Sequence, residues 1–287
     1  MYRCDMSVKS PYSINVNGRL LTMQRPLVMG IVNVTPDSFF AGSRAGGEED
    51  LLRRCASMIE EGADIIDVGG CSTRPSGEFV SAEEELERMS GAFRLLATSF
   101  PDVVFSVDTF RAEVARVCVK EYGVAIINDV SGFDWDGEML DTVAELNVPY
   151  VLTHTKGVAG ETPEYGDFVP DVFKQIADKL WQLRQRGVKD VIVDPGFGFG
   201  KSLQQNYLLM SCLEEFAMFD APLLVGVSRK SMITRLLDIS PEEALNGTTV
   251  LNTVALMKGA SILRVHDVRA AREAVEICSK LNPVYNI

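Results

Sequence analysis

The chain has 287 residues, and its 28 basic against 40 acidic side chains give a formal net charge of −12. That balance excludes a general binder of nucleic acid or of anionic membrane, because phosphate backbones are held by clustered Lys and Arg. A small anionic ligand needs only a local basic pocket and is not excluded.

With 46% hydrophobic and 24% charged residues, the composition is that of a globular protein rather than a disordered one. No apolar run approaches the roughly 18 residues of a membrane-spanning helix. The opening MYRCDMSVKS lacks the apolar centre of a secretory signal. Six cysteines, at 4, 55, 71, 118, 212 and 278, show no CxxC spacing, which points to a reduced, cytoplasmic chain. Length alone admits about two domains or one α/β barrel of about 250 residues.

In chain order, the first signal is Asn17-Gly18 inside SINVNGRLLT, the dipeptide of a tight β-hairpin. A hairpin over about 12–24 would plug the N-terminal mouth of a barrel. Eight short apolar runs follow: LVMGIVNV from Leu27, ADIIDVGG from Ala63, VVFSVDT from Val103, AIINDVSG from Ala125, VPYVLTHT from Val148, VIVDPGFGF from Val191, APLLVGVSRK from Ala221 and SILRVHDV from Ser261. Each is nearly continuous in hydrophobicity, as a strand buried on both faces must be.

Amphipathic stretches separate the runs. Residues 48–62 carry Leu51, Leu52, Cys55, Met58 and Ile59 at helical spacing and end on a glycine. Ser81 with Glu84 has the form of a capping box, and Glu83-Glu84-Glu85 reads as a solvated first turn facing the helix dipole. Eight strand–helix units without a break predict one domain over 1–287, a single (β/α)8 TIM barrel with an N-terminal β-hairpin. An open doubly wound sheet is the alternative.

Active sites of such barrels lie at the C-terminal strand ends. The runs end at Asn33, Asp108, Asn128-Asp129, His154, Asp194, Ser228-Arg229-Lys230, and Arg264 with His266. Both histidines of the chain stand at such ends, which favours function. Asp108, Asn128 and Asp194 form an acceptor-rich group that suits an amino-heterocycle with an N–H edge, since buried carboxylates need donors. Lys230, Arg264 and His266, with Asn33, form a donor group suited to phosphate or pyrophosphate. Alternatively, acids and bases neutralise one another across the mouth.

Two motifs are set aside. Gly200-Lys201-Ser202 ends like a phosphate-binding loop, but Pro195 stands where its first glycine belongs. DPGFGFGK lacks the GxGxxG spacing, and its glycines would let backbone approach a flat ligand.

The sequence closely resembles the dihydropteroate synthase family, in order along nearly the whole chain. The resemblance rests on MGIVNVTPDSF at Met29, STRP at Ser72, SVDTF at Ser106, INDVSG at Ile127, DPGFGFGK at Asp194, SRKS at Ser228 and RVHDV at Arg264. It implies a (β/α)8 barrel that condenses 6-hydroxymethyl-7,8-dihydropterin pyrophosphate with p-aminobenzoate, giving dihydropteroate and pyrophosphate by dissociative substitution at the pterin methylene. The resemblance further implies that Asp108, Asn128, Asp194, Phe199, Lys230 and Arg264 bind the pterin. Asn33, Arg264 and His266 would take the pyrophosphate, with Asn33 near a Mg²⁺ ion that keeps several waters. Asp108, Lys230, Arg264 and His266 carry the chemistry on this reading.

The loops over residues 35–47 and 71–80 would close over the site and supply Asp37, Phe39, Thr73, Arg74 and Pro75 to the p-aminobenzoate pocket together with Ser231. Asp37 would pair with Arg74. Sulfonamide inhibition and a homodimer are further implications. The chain departs from the family at Cys71, where Glu is usual, and at Thr153 and Thr155 beside His154, where Met is common. A pterin-dependent methyltransferase on the same barrel and a non-catalytic pterin-binding paralogue are the rival readings. The former has no need of the pyrophosphate set.

Overall fold

The computed structural model describes residues 11–34, 44–71, 80–157 and 163–281. Strands β1 (Ser13–Val16) and β2 (Arg19–Thr22) pair antiparallel. Their turn holds Asn17 at φ 52° and Gly18 at φ 79°, the left-handed pair that an Asn-Gly hairpin requires. The inward Ile14 and Val16, with Met23, pack on Leu27, Met29, Ile65 and Val104 at the barrel floor, so the hairpin is the expected plug.

The remaining strands are β3 (Leu27–Asn33), β4 (Ile65–Gly69), β5 (Val104–Asp108), β6 (Ile126–Asp129), β7 (Tyr150–Thr153), β8 (Val191–Asp194), β9 (Leu224–Val225) and β10 (Ile262–Val265). They form one parallel sheet in the order β8-β7-β6-β5-β4-β3-β10-β9. Closure between β8 and β9 rests on a single bridge, Val193 to Leu223, with Val193 N–H donating to the Pro222 carbonyl at 2.9 Å. The eight runs are thus the eight staves of a (β/α)8 barrel, β9 being the shortest.

Parity explains their hydrophobicity. On β4, Ile66 and Val68 face the helices, as do Phe105 and Val107 on β5 and Leu152 on β7, all within the outer core. Ile65, Val104, Ile126, Val151, Ile192 and Ile262 face inward as an apolar floor. Two residues further toward the C-terminal end the inward positions turn polar, with Asp67 on β4, Ser106 on β5, Asn128 on β6, Asp194 on β8 and Arg264 on β10. Alternation along a strand thereby stacks a reactive layer on an inert one.

The helices are α1 (Arg44–Glu60), α2 (Ala82–Ser99), α3 (Ala112–Tyr122), α4 (Met139–Leu146), α5 (Phe168–Gln185), α6 (Leu203–Ser211), α7 (Ser231–Leu237), α8 (Leu245–Met257) and α9 (Val268–Leu281), with a 3-10 turn at Leu213–Phe219. Helix α1 begins four residues before the periodic pattern, taking in the end of the expected 35–47 loop. Ser81 caps α2 by accepting the Glu84 N–H at 3.2 Å. Only half the capping box forms, because the Glu84 carboxylate pairs with Arg88 one turn on.

The acidic cluster is not wholly solvated either. Glu85 is fully buried, ion-paired with Arg111 and accepting from Thr109 Oγ1 at 2.7 Å. It lies on the inward face of α2, in line with the buried Arg88, Met89 and Ala92.

Candidate active site

The polar layer meets at one guanidinium. Arg264 donates through Nε to Asp67 Oδ2 at 2.6 Å and through Nη2 to Asp108 Oδ2 at 2.5 Å. Asp67 Oδ2 also accepts from Asn128 Nδ2 at 2.9 Å. Two glycines border this convergence, where a Cβ would make only ordinary van der Waals contact. A Cβ on Gly69 would sit 3.4 Å from Asp108 Cβ, and one on Gly226 would lie 3.9 Å from Arg264 Cδ and 4.0 Å from Lys230 Nζ. Acid and base thus neutralise one another across the mouth, as the sequence allowed.

Asp194 and Lys230 stand on the other side. Asp194 Oδ1 accepts the Gly196 N–H at 2.8 Å. Lys230 is the N-cap of α7, donates to the Phe197 carbonyl at 2.5 Å and lies 4.6 Å over the Phe199 ring. His266 Nδ1 is 3.0 Å from Ser228 Oγ, which also accepts the His266 N–H at 3.1 Å. Ser231 opens α7 and is exposed; Asn33 ends β3, part-buried, on the strand that pairs with the Arg264 strand. Asp37, Phe39, Thr73, Arg74 and Pro75, with the expected Asp37–Arg74 pair, lie outside the described residues.

Burial tunes the charges. It pushes Asp108 up to about 7, helped by the negative charges of Asp67, Glu85 and Asp129 and opposed by Arg264. Burial raises Asp194 against the pull of Lys230. It draws Lys230 down to about 8, with Asp194 resisting. Burial also works against the Arg264 charge, but Asp67 and Asp108 outweigh it and hold the guanidinium above its ordinary value. A carboxylate and an amine poised near neutrality in one concave rim are the pattern of a working site.

Two readings of the strand ends are corrected. Asp129 follows an inward residue and so points outward, where Ser131 N–H and Oγ, Phe133 N–H and Tyr150 Oη saturate its carboxylate. His154 is buried, and burial with the charges of Lys201 and Lys179 pulls its pKa to about 2. It is a neutral ring under Tyr165, 6.3 Å away between centroids, outside the cluster around Arg264.

The glycines of DPGFGFGK are required by the backbone itself. Gly196, Gly198 and Gly200 all have positive φ, and a Cβ on Gly196 would fall 2.0 Å from the His154 carbonyl. Lys201 locks that loop by donating to the carbonyls of His154, Gly196 and Phe199 at 3.0, 2.8 and 3.1 Å.

Asp67 escaped the sequence reading because it lies inside its apolar run rather than at the end. The available signal was a carboxylate in the middle of an apolar run, two positions before Gly69 and so on the same face. The Arg229–Asp267 pair was also missed. Its two bonds of 3.0 and 2.6 Å tie the loop after β9 to the end of β10, with Arg229 itself at φ 56°.

A barrel whose mouth sets three acceptors against a lysine, an arginine and a histidine is the architecture of a pterin-binding enzyme, and the family model of that description matches residues 29–266. The chain is 43% identical over 265 residues to dihydropteroate synthase of Escherichia coli (strain K12), covering 91% of this chain and 93% of the relative. The Yersinia pestis dihydropteroate synthase in complex with a sulfonamide drug superposes with a TM-score of 0.86 at 37% identity, over 94% of this chain and 98% of that one. The Xanthomonas albilineans dihydropteroate synthase with 4-aminobenzoic acid gives 0.85 at 38% identity, again over 94% and 98%. The chain belongs to the dihydropteroate synthase family.

Proposed function

We infer that this protein is a transferase of folate biosynthesis. It condenses 6-hydroxymethyl-7,8-dihydropterin pyrophosphate with p-aminobenzoate to give 7,8-dihydropteroate and pyrophosphate. The observation that carries this reading is the mouth itself, where the acceptors Asp108, Asn128 and Asp194 adjoin Lys230, Arg264 and His266, in a chain alike in fold and sequence to enzymes of that activity.

The acceptors take the ring N–H and amino donors of the pterin, Lys230 donates to its acceptor atoms, and Phe199 and the Arg264 plane pack on the ring. The methylene C–O bond breaks with its electron pair leaving on pyrophosphate, and Arg264 and His266 stabilise that charge. Asp108 and its neighbours stabilise the pterin cation left behind. The arylamine nitrogen then bonds to the methylene and gives up one proton to water, so no covalent enzyme intermediate forms.

Mg²⁺ fits this donor set. Asn33 offers one hard oxygen at the rim, and no group of three His, Cys, Asp or Glu able to hold a metal occurs among the described residues. Such a site suits an ion coordinated mainly by water and substrate phosphate oxygens; when bound it would neutralise charge on the leaving pyrophosphate. Asn33 would hold it, while Asp37, Phe39, Thr73, Arg74, Pro75 and Ser231 would form the arylamine pocket, where a sulfonamide would compete.

Two coarser features extend the reading. Leu236, Leu237, Leu245, Val250, Met257, Ile277 and Leu281 are exposed on α7, α8 and α9, an apolar expanse that supports a homodimer. No helix among the described residues is long and apolar enough to cross a membrane. Among the described residues no cysteine is joined in a disulfide, which supports the cytoplasm as the compartment.

Purified protein supplied with Mg²⁺, the pterin pyrophosphate and p-aminobenzoate should release pyrophosphate and dihydropteroate one for one. Tight pterin binding without any release would overturn the synthase reading in favour of a non-catalytic paralogue.

A further inference from the structure

We propose that Asp67, buried at the bottom of the polar layer, orients the Asn128 carboxamide and so selects a heterocycle edge that carries an amino donor beside a ring-nitrogen acceptor. This inference rests on the pterin reading above and concerns how the chain tells that edge from its inverse.

The argument begins with what each atom can do. Asp67 is fully buried, and its Oδ2 accepts from Arg264 Nε at 2.6 Å and from Asn128 Nδ2 at 2.9 Å. Paired with the Arg264 guanidinium, the Asp67 carboxylate acts as an acceptor. The oxygen of the Asn128 carboxamide therefore cannot face Asp67, because two acceptors would meet out of reach of water. One Nδ2 hydrogen is spent on Asp67. The second Nδ2 hydrogen and Oδ1 remain side by side for the mouth, and Oδ1 has no partner among the described residues.

That pair is a donor next to an acceptor in a fixed order. Its complement is the 2-aminopyrimidine edge, in which a ring nitrogen accepts and the neighbouring amino group donates. An edge with a ring N–H beside a carbonyl carries the opposite order and meets like against like. Mismatched buried hydrogen-bonding groups are the strongest source of discrimination between isosteric ligands. Without the Asp67 carboxylate, nothing in the geometry prevents the carboxamide from turning over. Asp67 is thus a positioning residue, and its substitution should alter selectivity more than overall affinity.

The test uses 6-hydroxymethylpterin and 6-hydroxymethyl-lumazine, in which a 2-oxo group replaces the 2-amino group and reverses the edge. Both are titrated calorimetrically into the wild type, Asp67→Asn, Asn128→Ala and the double variant. The wild type should prefer the pterin by about a hundredfold or more. Asp67→Asn, isosteric but able to donate, should cut that preference by about tenfold or more. Asn128→Ala should cut it similarly, and adding Asp67→Asn to it should change the ratio no further.

A brace without a recognition role would lower both affinities together and leave the ratio intact, which would overturn the proposal. So would a preference unaltered in Asn128→Ala, a result that stands even if Asp67→Asn fails to fold. If the wild type binds neither compound, it is the pterin reading itself that falls.

Discussion

Replacing Arg264 by methionine isolates the charge that holds the mouth together. The methionine stem retains packing against Gly226, where a Cβ would lie 3.7 Å from Arg264 Cβ, while both ionic bonds disappear. Arg264 is 17% exposed, Asp67 0% and Asp108 19%, so two carboxylates are left without their counter-charge in a nearly dry site. Removing one partner of a buried pair costs about 3–5 kcal/mol. The lower end applies here, because Asn128 still donates to Asp67 and Asp108 touches solvent.

The sign of the pH dependence follows. Asp108 already sits near 7 because of burial, and losing the guanidinium that opposes that shift moves it further above its unfolded value. The folded variant then binds protons that the unfolded chain releases. Its stability is retained at low pH and lost as pH rises through the folded pKa. The deficit relative to wild type should reach about 3 kcal/mol at pH 8 and be smaller by at least about 1 kcal/mol at pH 5.5. Equilibrium urea unfolding at the two pH values measures it. A deficit below about 1 kcal/mol at pH 8, or one that does not grow between pH 5.5 and 8, would show that the Arg264 network is not the buried pair described.

Two further expectations concern activity and the loop after β8. In kcat/KM for the pterin substrate, a limb should rise near pH 7 as Asp108 ionises into an acceptor, and fall near pH 8 as Lys230 loses its proton. Asp108→Asn should abolish the rising limb, and its survival at the same pH would assign that ionisation to another group. Gly196→Ala should destabilise the protein by about 2–5 kcal/mol, from a left-handed backbone and an enforced clash. The new Cβ would fall 2.0 Å from the His154 carbonyl, which also receives Lys201. Near-wild-type thermal unfolding of that variant would mean that the loop is not locked as described.

Much of the site was legible because the barrel converts sequence position into spatial position. Any residue ending a parallel strand is delivered to one rim, so Asp108, Asn128, Asp194, Lys230, Arg264 and His266 could be grouped from eight apolar runs before their distances were known. The same rule misled where parity and burial intervened. Asp129 is one residue past an inward position and faces the helices; His154 ends its run but is sealed under Tyr165. Lys201, rightly denied a phosphate-loop role, is a loop brace whose three carbonyl partners are brought together only by the left-handed glycines around it.

Sequence alone determined the element order, the Asn-Gly hairpin and the polarity of each strand end, since these follow from local periodicity and from backbone preferences of single residues. Tertiary structure alone decided which charges meet. Arg264 and Asp67 are 197 residues apart in sequence and 2.6 Å apart in space, and no local pattern encodes that distance. Barrel closure sets it, through the stagger between neighbouring strands. For the same reason the net charge of −12 described the surface, while the balance of acid and base that matters for chemistry was fixed inside the mouth.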